Sequence, residues 1–330
     1  MEFSDLAKLA GGYLEARVLQ VAVSLGIFDA LKDDGCDAPS VARAIHADLR
    51  GTELLLNALA ALGLLKKESG LFSLTPVSST YLVRSSPDYY GEMVLFDSSL
   101  WDFWGRLETA VRSGKPVRSP DMYQGDPEDT RRFIYAMHSL VAARGDARVV
   151  VETLDLSEVR DFLDVGSGPG TYPIHFCQKH PALRATIFDL PGTLRFTEEF
   201  VVAAGLSNHI KLIPGDYRTD PIPGRYQMIF LSNIIHAESG EENQRLMAKL
   251  HRSLDPGGKI VIKDHILGES FAQPAAGALF SLLMLLTTEK GRCYSFHEVK
   301  EWLEKAGFTR VREIPLPSAL TSSLVIGEKG

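Results

Sequence analysis

Cysteine is scarce. The 330 residues include three, Cys36, Cys177 and Cys293, too few and too far apart for a disulfide framework or a zinc pattern, so reduced thiols are expected. Long apolar runs are missing as well: the most apolar stretch, Ala275 to Leu286, falls short of the roughly 20 residues that cross a bilayer and reads as a buried helix, so no membrane partner is expected. There is no excess of positive charge. Lys and Arg number 35 against 42 Asp and Glu, a net charge of −7, so nucleic acid is not the expected partner. The start, Met1-Glu2-Phe3-Ser4-Asp5, lacks the basic-then-apolar order of a secretory signal, and a cytoplasmic protein is expected. Without repeats or low-complexity tracts, and with 45% hydrophobic and 23% charged residues, the chain is globular rather than fibrous or disordered.

This length favours two domains. Residues 1–100 read as helical: Leu6, Leu9, Tyr13, Val18, Val21 and Leu25 recur at helical spacing, and Leu54 to Leu62 continue the pattern. Leu64 to Leu74, two short runs around Ser69-Gly70, predict a hairpin. Helices followed by a hairpin suggest a winged helix, which can read DNA, but Thr52 to Ala61 carries one acid and no base. A ligand-sensing DNA regulator is therefore an alternative that charge disfavours. Residues 101–152 predict linking helices that contribute to a substrate pocket, broken at Gly114-Lys115-Pro116 and Gly125-Asp126-Pro127. Over 153–330 short β-branched runs alternate with helices, the mark of a parallel sheet built from βαβ units. Strands are predicted at 161–165, 185–189, 210–213, 227–231 and 259–264, and near 310–314 and 323–327, with a helix over 241–254.

The first of these strands runs into Gly166-Ser167-Gly168-Pro169-Gly170, and a helix starts near Thr171. Glycines let the backbone turn sharply and approach a ligand, and a helix N-terminus offers free N–H groups. Alone, such a loop also serves simply to pack helix on strand. The next strand, however, ends in Phe188-Asp189-Leu190-Pro191, an acid nineteen positions after Gly170, where a carboxylate can accept both ribose hydroxyls. Gly215-Asp216-Tyr217 adds a carboxylate and a ring suited to adenine. A dinucleotide fingerprint needs a glycine where Thr171 stands, and Asp164 would repel a pyrophosphate. S-adenosyl-L-methionine, with an ammonium, a sulfonium and no phosphate, matches this acid-rich loop on charge.

The runs Phe162-Leu163-Asp164-Val165-Gly166-Ser167-Gly168-Pro169-Gly170, Phe188-Asp189-Leu190-Pro191, Gly215-Asp216-Tyr217 and Asp255-Pro256-Gly257-Gly258-Lys259 resemble the small-molecule O-methyltransferases. The likeness is greatest to their caffeic-acid, hydroxyindole and bacterial antibiotic branch. Upstream, Leu25-Gly26-Ile27-Phe28-Asp29-Ala30-Leu31 and Phe72-Ser73-Leu74-Thr75-Pro76 are similar to that branch's N-terminal domain, so the likeness covers nearly the whole chain. It implies an α/β fold, a Rossmann-like class I methyltransferase sheet, with a helical winged-helix-like N-terminal dimerisation domain, and a homodimer that holds S-adenosylmethionine. Carried over, Asp164, Gly166 and Gly168 would surround the methionine moiety, Asp189 would take the ribose, and Asp216 with Tyr217 would hold adenine. Gly170, Leu190 and Ser232 complete the expected cofactor set. The family's general base matches His236, and its neighbouring acid matches Asp264. The chain departs from the family at Ser232, usually Lys, at Ala237-Glu238, usually Asp-Trp, and near Cys293, where the family has a second acid.

Methyl transfer is an in-line displacement at a carbon activated by positive sulfur, so an enzyme mainly aligns, excludes water and removes a proton. Between a free imidazole and a free phenol that proton transfer is uphill by roughly 5 kcal/mol. A nearby cation and Asp264 would have to offset most of it. His265, next to Asp264, is the rival base. His175 and His180 lack a third ligand, and no metal is expected. Trp104, Phe133, Met137, His138 and Met284 are expected to line a flat acceptor pocket, because rings and thioethers grip planar molecules adaptably. The expected acceptor is a hydroxylated aromatic or similar small metabolite; transfer to carbon or nitrogen, or a non-methylating use of the same cofactor, is the alternative within enzymes.

Overall fold

The computed structural model describes residues 1–31 and 35–330. It divides into two units, one of residues 1–101 and 135–143, the other of 102–134 and 144–330.

In the first unit the helix Phe3–Ser24 is followed by Ile27–Ala30, by strand β1 (Cys36–Asp37), and by the helices Ala38–Ala44 and Leu49–Ala61. Asp37 and Asp48 cap the last two, accepting the N–H of Ser40 and of Gly51, which satisfies donors that a helix start leaves free. The predicted hairpin is present as β2 (Leu65–Glu68) and β3 (Leu71–Leu74), and β1 adds to its free edge in the order β1-β3-β2. Phe28, Leu56, Leu59 and Phe72 are fully buried at the centre of this unit.

The second unit is built on a seven-stranded sheet. In chain order its strands are β4 (Asp161–Val165), β5 (Arg184–Asp189), β6 (Ile210–Pro214), β7 (Tyr226–Ser232), β8 (Leu254–Asp264), then, after the short β9 (Ile266–Leu267) and β10 (Tyr294–Ser295) that pair only with each other, β11 (Phe308–Pro315) and β12 (Ser323–Lys329). The spatial order is β11-β12-β8-β7-β4-β5-β6; β4 to β8 run parallel, and β12 is antiparallel to both its neighbours. All seven predicted strands are present, extended by up to five residues at their ends. The helix predicted over 241–254 runs instead from Gly240 to Arg252, because Leu254 opens β8 and pairs with Tyr226.

Both faces of this sheet are covered, which is why its strands read as apolar runs rather than alternations. Leu163, Val165, Ile229, Leu231, Ile260 and Ile262 pack against Leu246, Met247, Leu250, Val299 and Leu303 of two helices, each such burial contributing roughly 1.5–3 kcal/mol. On the opposite face Phe162, Phe176, Phe230 and Tyr172 form an aromatic cluster with ring centroids 5.3–6.4 Å apart. Strand alternation therefore sends Asp264 to the first face and Lys263 to the second.

Strand β4 is the switch point: the chain moves from it to β5 and β6 on one side, then returns to place β7 and β8 on the other. In open α/β sheets the crevice at the carboxyl ends of the strands beside such a reversal is where ligands bind. The loops after β4 and β7 flank it.

Candidate active site

The loop after β4 uses each glycine differently. Gly166, Gly168 and Gly170 all have positive φ, +64°, +60° and +73°, a region that strains any side chain with a Cβ. A Cβ on Gly170 would stand 3.0 Å from Ile187 and 3.1 Å from Thr197, so Gly170 seats the helix Thr171–Lys179 on the sheet. A Cβ on Gly166 would collide with Ile234. At Gly168 the nearest atom, on Ile134, is 3.8 Å away, and this glycine leaves room at the crevice.

Asp189, at the end of β5, is buried beside that room. Its two oxygens accept the N–H groups of Gly168 at 2.8 Å and Leu190 at 2.7 Å, which ties the glycine loop to the neighbouring strand. Burial pushes its carboxyl up to about 6 even so. A carboxylate has about four acceptor sites, so capacity for two hydroxyls remains. Asp164 is fully buried; one oxygen accepts Ser167 Oγ–H at 2.7 Å and the other has no partner. Burial, only partly opposed by that hydrogen bond, holds its carboxyl well above the usual range, with the Asp189 charge adding to the shift. An orphaned carboxyl oxygen beneath an open glycine suits a cation. The residues present fit S-adenosylmethionine on that ground.

The expected adenine residues each have a partner within the protein. Asp216 is drawn onto the Arg218 guanidinium at 2.8 Å, and the Tyr217 hydroxyl donates to Glu238 at 2.8 Å. Glu238 is thus a buried partner of Tyr217, and what Tyr217 can offer a flat ligand is its ring.

After β7 the chain turns through Asn233, at φ +58°, a left-handed conformation that Asn tolerates better than most residues. Asn233 N–H donates to the Lys263 carbonyl at 2.8 Å, Asn243 Nδ2–H to the Ile235 carbonyl at 2.7 Å and Tyr294 Oη–H to the Glu238 carbonyl at 2.6 Å. So pinned, the single 3₁₀ turn Ile235–Ala237 presents His236 with its Nδ1 2.8 Å from Asp264 Oδ1. Gly291 packs so closely under this turn that a Cβ would strike the His236 carbonyl. Burial would raise Asp264, but the His236 and His265 imidazoles outweigh it and hold the carboxyl below its ordinary range. His236 therefore carries its hydrogen on Nδ1, and Nε2 has no partner among the described residues.

His265 is the weaker candidate. Its Nδ1 bonds the Thr321 carbonyl at 2.6 Å rather than a carboxylate, and burial pushes it down to about 4, with Asp264 opposing and His236 adding. Cys293 does not replace an acid: burial pushes its thiol up to about 12.

Ser232 lies opposite Lys263 in the β7–β8 register, its hydroxyl oxygen buried among the polar atoms that lack a hydrogen-bond partner. Lys263 is 1% exposed and faces Asp146 at 3.4 Å, which Arg144 also clasps through two contacts of 2.6 Å. Nothing local in the sequence announces this triad. Of the acceptor residues, Met284 is buried on the helix Ala275–Thr287, which packs against the His236 turn and sets Phe280 edge-on to the His236 ring at 4.8 Å. Phe133 stacks on Tyr123 at 4.4 Å, and Trp104 is partly exposed. Met137 and His138 belong to the first unit. No group of three His, Cys, Asp or Glu side chains suited to a metal occurs among the described residues, and no helix there is long and apolar enough to cross a membrane.

A crevice at the carboxyl edge of the sheet, lined by a glycine loop and a buried Asp and flanked by an Asp-held histidine, is the arrangement expected of a class I methyltransferase. Residues 109–309 match the O-methyltransferase domain and residues 7–84 the O-methyltransferase dimerisation domain; the chain belongs to the O-methyltransferase family and is an S-adenosylmethionine-dependent enzyme. It is 33% identical to 3-hydroxy-5-methyl-1-naphthoate 3-O-methyltransferase of Streptomyces sahachiroi, over 98% of this chain and 94% of that one. It is 33% identical to the tetracenomycin polyketide synthesis 8-O-methyl transferase of Streptomyces glaucescens, over 98% and 96%. Human N-acetylserotonin methyltransferase, solved in complex with S-adenosylmethionine, superposes with a TM-score of 0.91 at 25% identity over 99% of this chain and 97% of that one.

Proposed function

We propose that the chain methylates a hydroxyl of an aromatic small molecule, with His236 as the general base and Asp264 as its support. The observation that carries this is the 2.8 Å contact between His236 Nδ1 and the buried Asp264 carboxylate, which leaves Nε2 as a bare proton acceptor at the carboxyl edge of the sheet. Bound S-adenosylmethionine supplies the methyl group on a positive sulfur. Asp189 takes the ribose hydroxyls with the acceptor capacity that Gly168 and Leu190 leave it, and the unpartnered Asp164 oxygen is a further acceptor at the loop. Ser232 is the remaining polar contact at the end of β7. As the acceptor hydroxyl loses its proton to Nε2, Asp264 stabilises the imidazolium that forms. Phe280, 4.8 Å from the His236 ring, and Met284 on the same helix supply apolar surface that excludes water and holds a planar ring in line.

The chain acts as a homodimer through its first hundred residues. The dimerisation-domain match over 7–84 supports this, as do the exposed Phe3, Leu6, Leu9, Tyr13 and Leu14 of the first helix, an apolar face too contiguous for an isolated surface.

The test is incubation with S-adenosylmethionine and a panel of naphthols, hydroxyindoles and hydroxyquinones, followed by mass spectrometry and NMR. An added CH₂ unit located on oxygen is expected. Methylation only at carbon or nitrogen, or none in the panel, contradicts the reading.

A further inference from the structure

The geometry points to His265 as a positioning residue that selects acceptors bearing a second hydrogen-bond donor, an O–H or N–H, beside the hydroxyl that is methylated. This rests on His236 taking the proton. His265 directly follows Asp264, and its backbone N–H donates to the same Asp264 oxygen, at 2.7 Å, that holds His236. The two imidazoles lie 6.5 Å apart and share Phe280, whose ring is 4.8 Å from one and 4.6 Å from the other.

The hydrogen positions follow from the partners. A carbonyl oxygen has no proton to give, so the bond to Thr321 requires the hydrogen of His265 on Nδ1. Its Nε2 then carries a lone pair. That nitrogen has no partner among the described residues and is not one of the buried unpartnered polar atoms, so it faces accessible space. Burial pushes the ring down to about 4, so it is neutral at neutral pH, and a neutral ring in this tautomer accepts at Nε2 and cannot donate there.

Here two imidazoles, each with an Nε2 that lacks a partner among the described residues, lie 6.5 Å apart and contact the same Phe280 ring. The complementary molecule is a flat aromatic with two donors, one giving its hydrogen to His236 and the other to His265. A carboxylate in the second position would meet a lone pair instead of a donor, and is selected against.

The experiment compares 2,3-dihydroxynaphthalene with 2-naphthol. Binding of each to the full-length enzyme saturated with S-adenosylhomocysteine is measured by calorimetry, and kcat and KM with S-adenosylmethionine, for wild type, His265→Phe and His265→Gln. The diol is expected to bind wild type roughly tenfold tighter, the scale of one hydrogen bond. His265→Phe is expected to lose most of that preference, with the loss in KM rather than kcat and the pH profile of kcat retained; His265→Gln, whose amide oxygen still accepts, regains part of it. S-adenosylhomocysteine affinity reports that each variant is folded. Equal affinities in wild type, failure of both compounds to bind, or a preference that survives both substitutions overturns the role of His265. Loss of the pH limb in His265→Phe also overturns it, by making His265 the base. Diol-selective binding without oxygen methylation contradicts instead the O-methylation reading.

Discussion

His236 Nδ1 and His265 N–H converge on a single oxygen of Asp264, at 2.8 and 2.7 Å, while the other Asp264 oxygen is buried without a partner. One carboxylate oxygen thereby fixes the tautomer of one imidazole and anchors the chain at the other. Because the two imidazoles overcome the effect of burial, the carboxyl stays negative where it faces His236. Its contribution to folding is complete above the ordinary carboxylate range and is lost as pH falls through its lower folded value.

Asp264→Asn keeps the shape and removes the charge. Turnover is expected to fall by about a hundredfold, while S-adenosylhomocysteine affinity changes little. Steady-state kinetics beside calorimetry check this, and an unchanged kcat would show that the imidazolium needs no counter-charge.

Cofactor affinity is expected to depend on pH through Asp189. Its carboxyl sits at about 6 in the free protein, raised by burial, and ribose hydroxyls donate to the ionised form, so binding below that pH must expel a proton. Affinity for S-adenosylhomocysteine should fall by up to roughly tenfold per pH unit below about 6, with proton release visible in buffers of different ionisation heat. Asp189→Asn should bind weakly with a flat profile. On folding the sign is opposite: a raised carboxyl favours the protonated fold, so stability is full below the unfolded value of 3.8 and declines as pH rises to about 6.

The loop glycines separate by what surrounds them. Gly170→Ala adds a Cβ against Ile187 and Thr197 at positive φ and should cost about 2–3 kcal/mol in urea unfolding. Gly168→Ala meets no such crowding; it should cost only about 1 kcal/mol of backbone strain yet weaken S-adenosylhomocysteine by tenfold or more. Equal losses of stability would remove the distinction.

The buried triad should respond asymmetrically. Asp146→Asn leaves Lys263 and Arg144 without their shared anion, at about 3–5 kcal/mol. Lys263→Met leaves Asp146 still clasped by Arg144 and fills the space with apolar atoms, at about 1–2 kcal/mol. Denaturation midpoints in the reverse order would contradict this account of the triad.

Much of the fold was legible because its signals are local. Strands buried on both faces announce themselves as β-branched runs, and Gly166–Gly170 and Asp189 carry their chemistry in contiguous residues. The helix end at Arg252 is not legible in the sequence because Leu254 keeps the four-residue spacing of Leu246 and Leu250 while pairing as a strand. What could not be read joins distant positions: Tyr217 with Glu238, Lys263 with Asp146, and His265 with the Thr321 carbonyl. A backbone acceptor leaves no mark in side-chain identity, so nothing in the sequence distinguished the tautomer of His265. Phe133 was legible as an aromatic, but its stacking on Tyr123 depends on how a loop folds back.

The account stands most directly on His236. Single-turnover methylation of an aromatic hydroxyl by His236→Gln, with S-adenosylhomocysteine affinity measured in parallel, is expected to slow by a hundredfold or more while affinity stays within about twofold. Methylation at the wild-type rate would contradict the assignment of the proton to this imidazole.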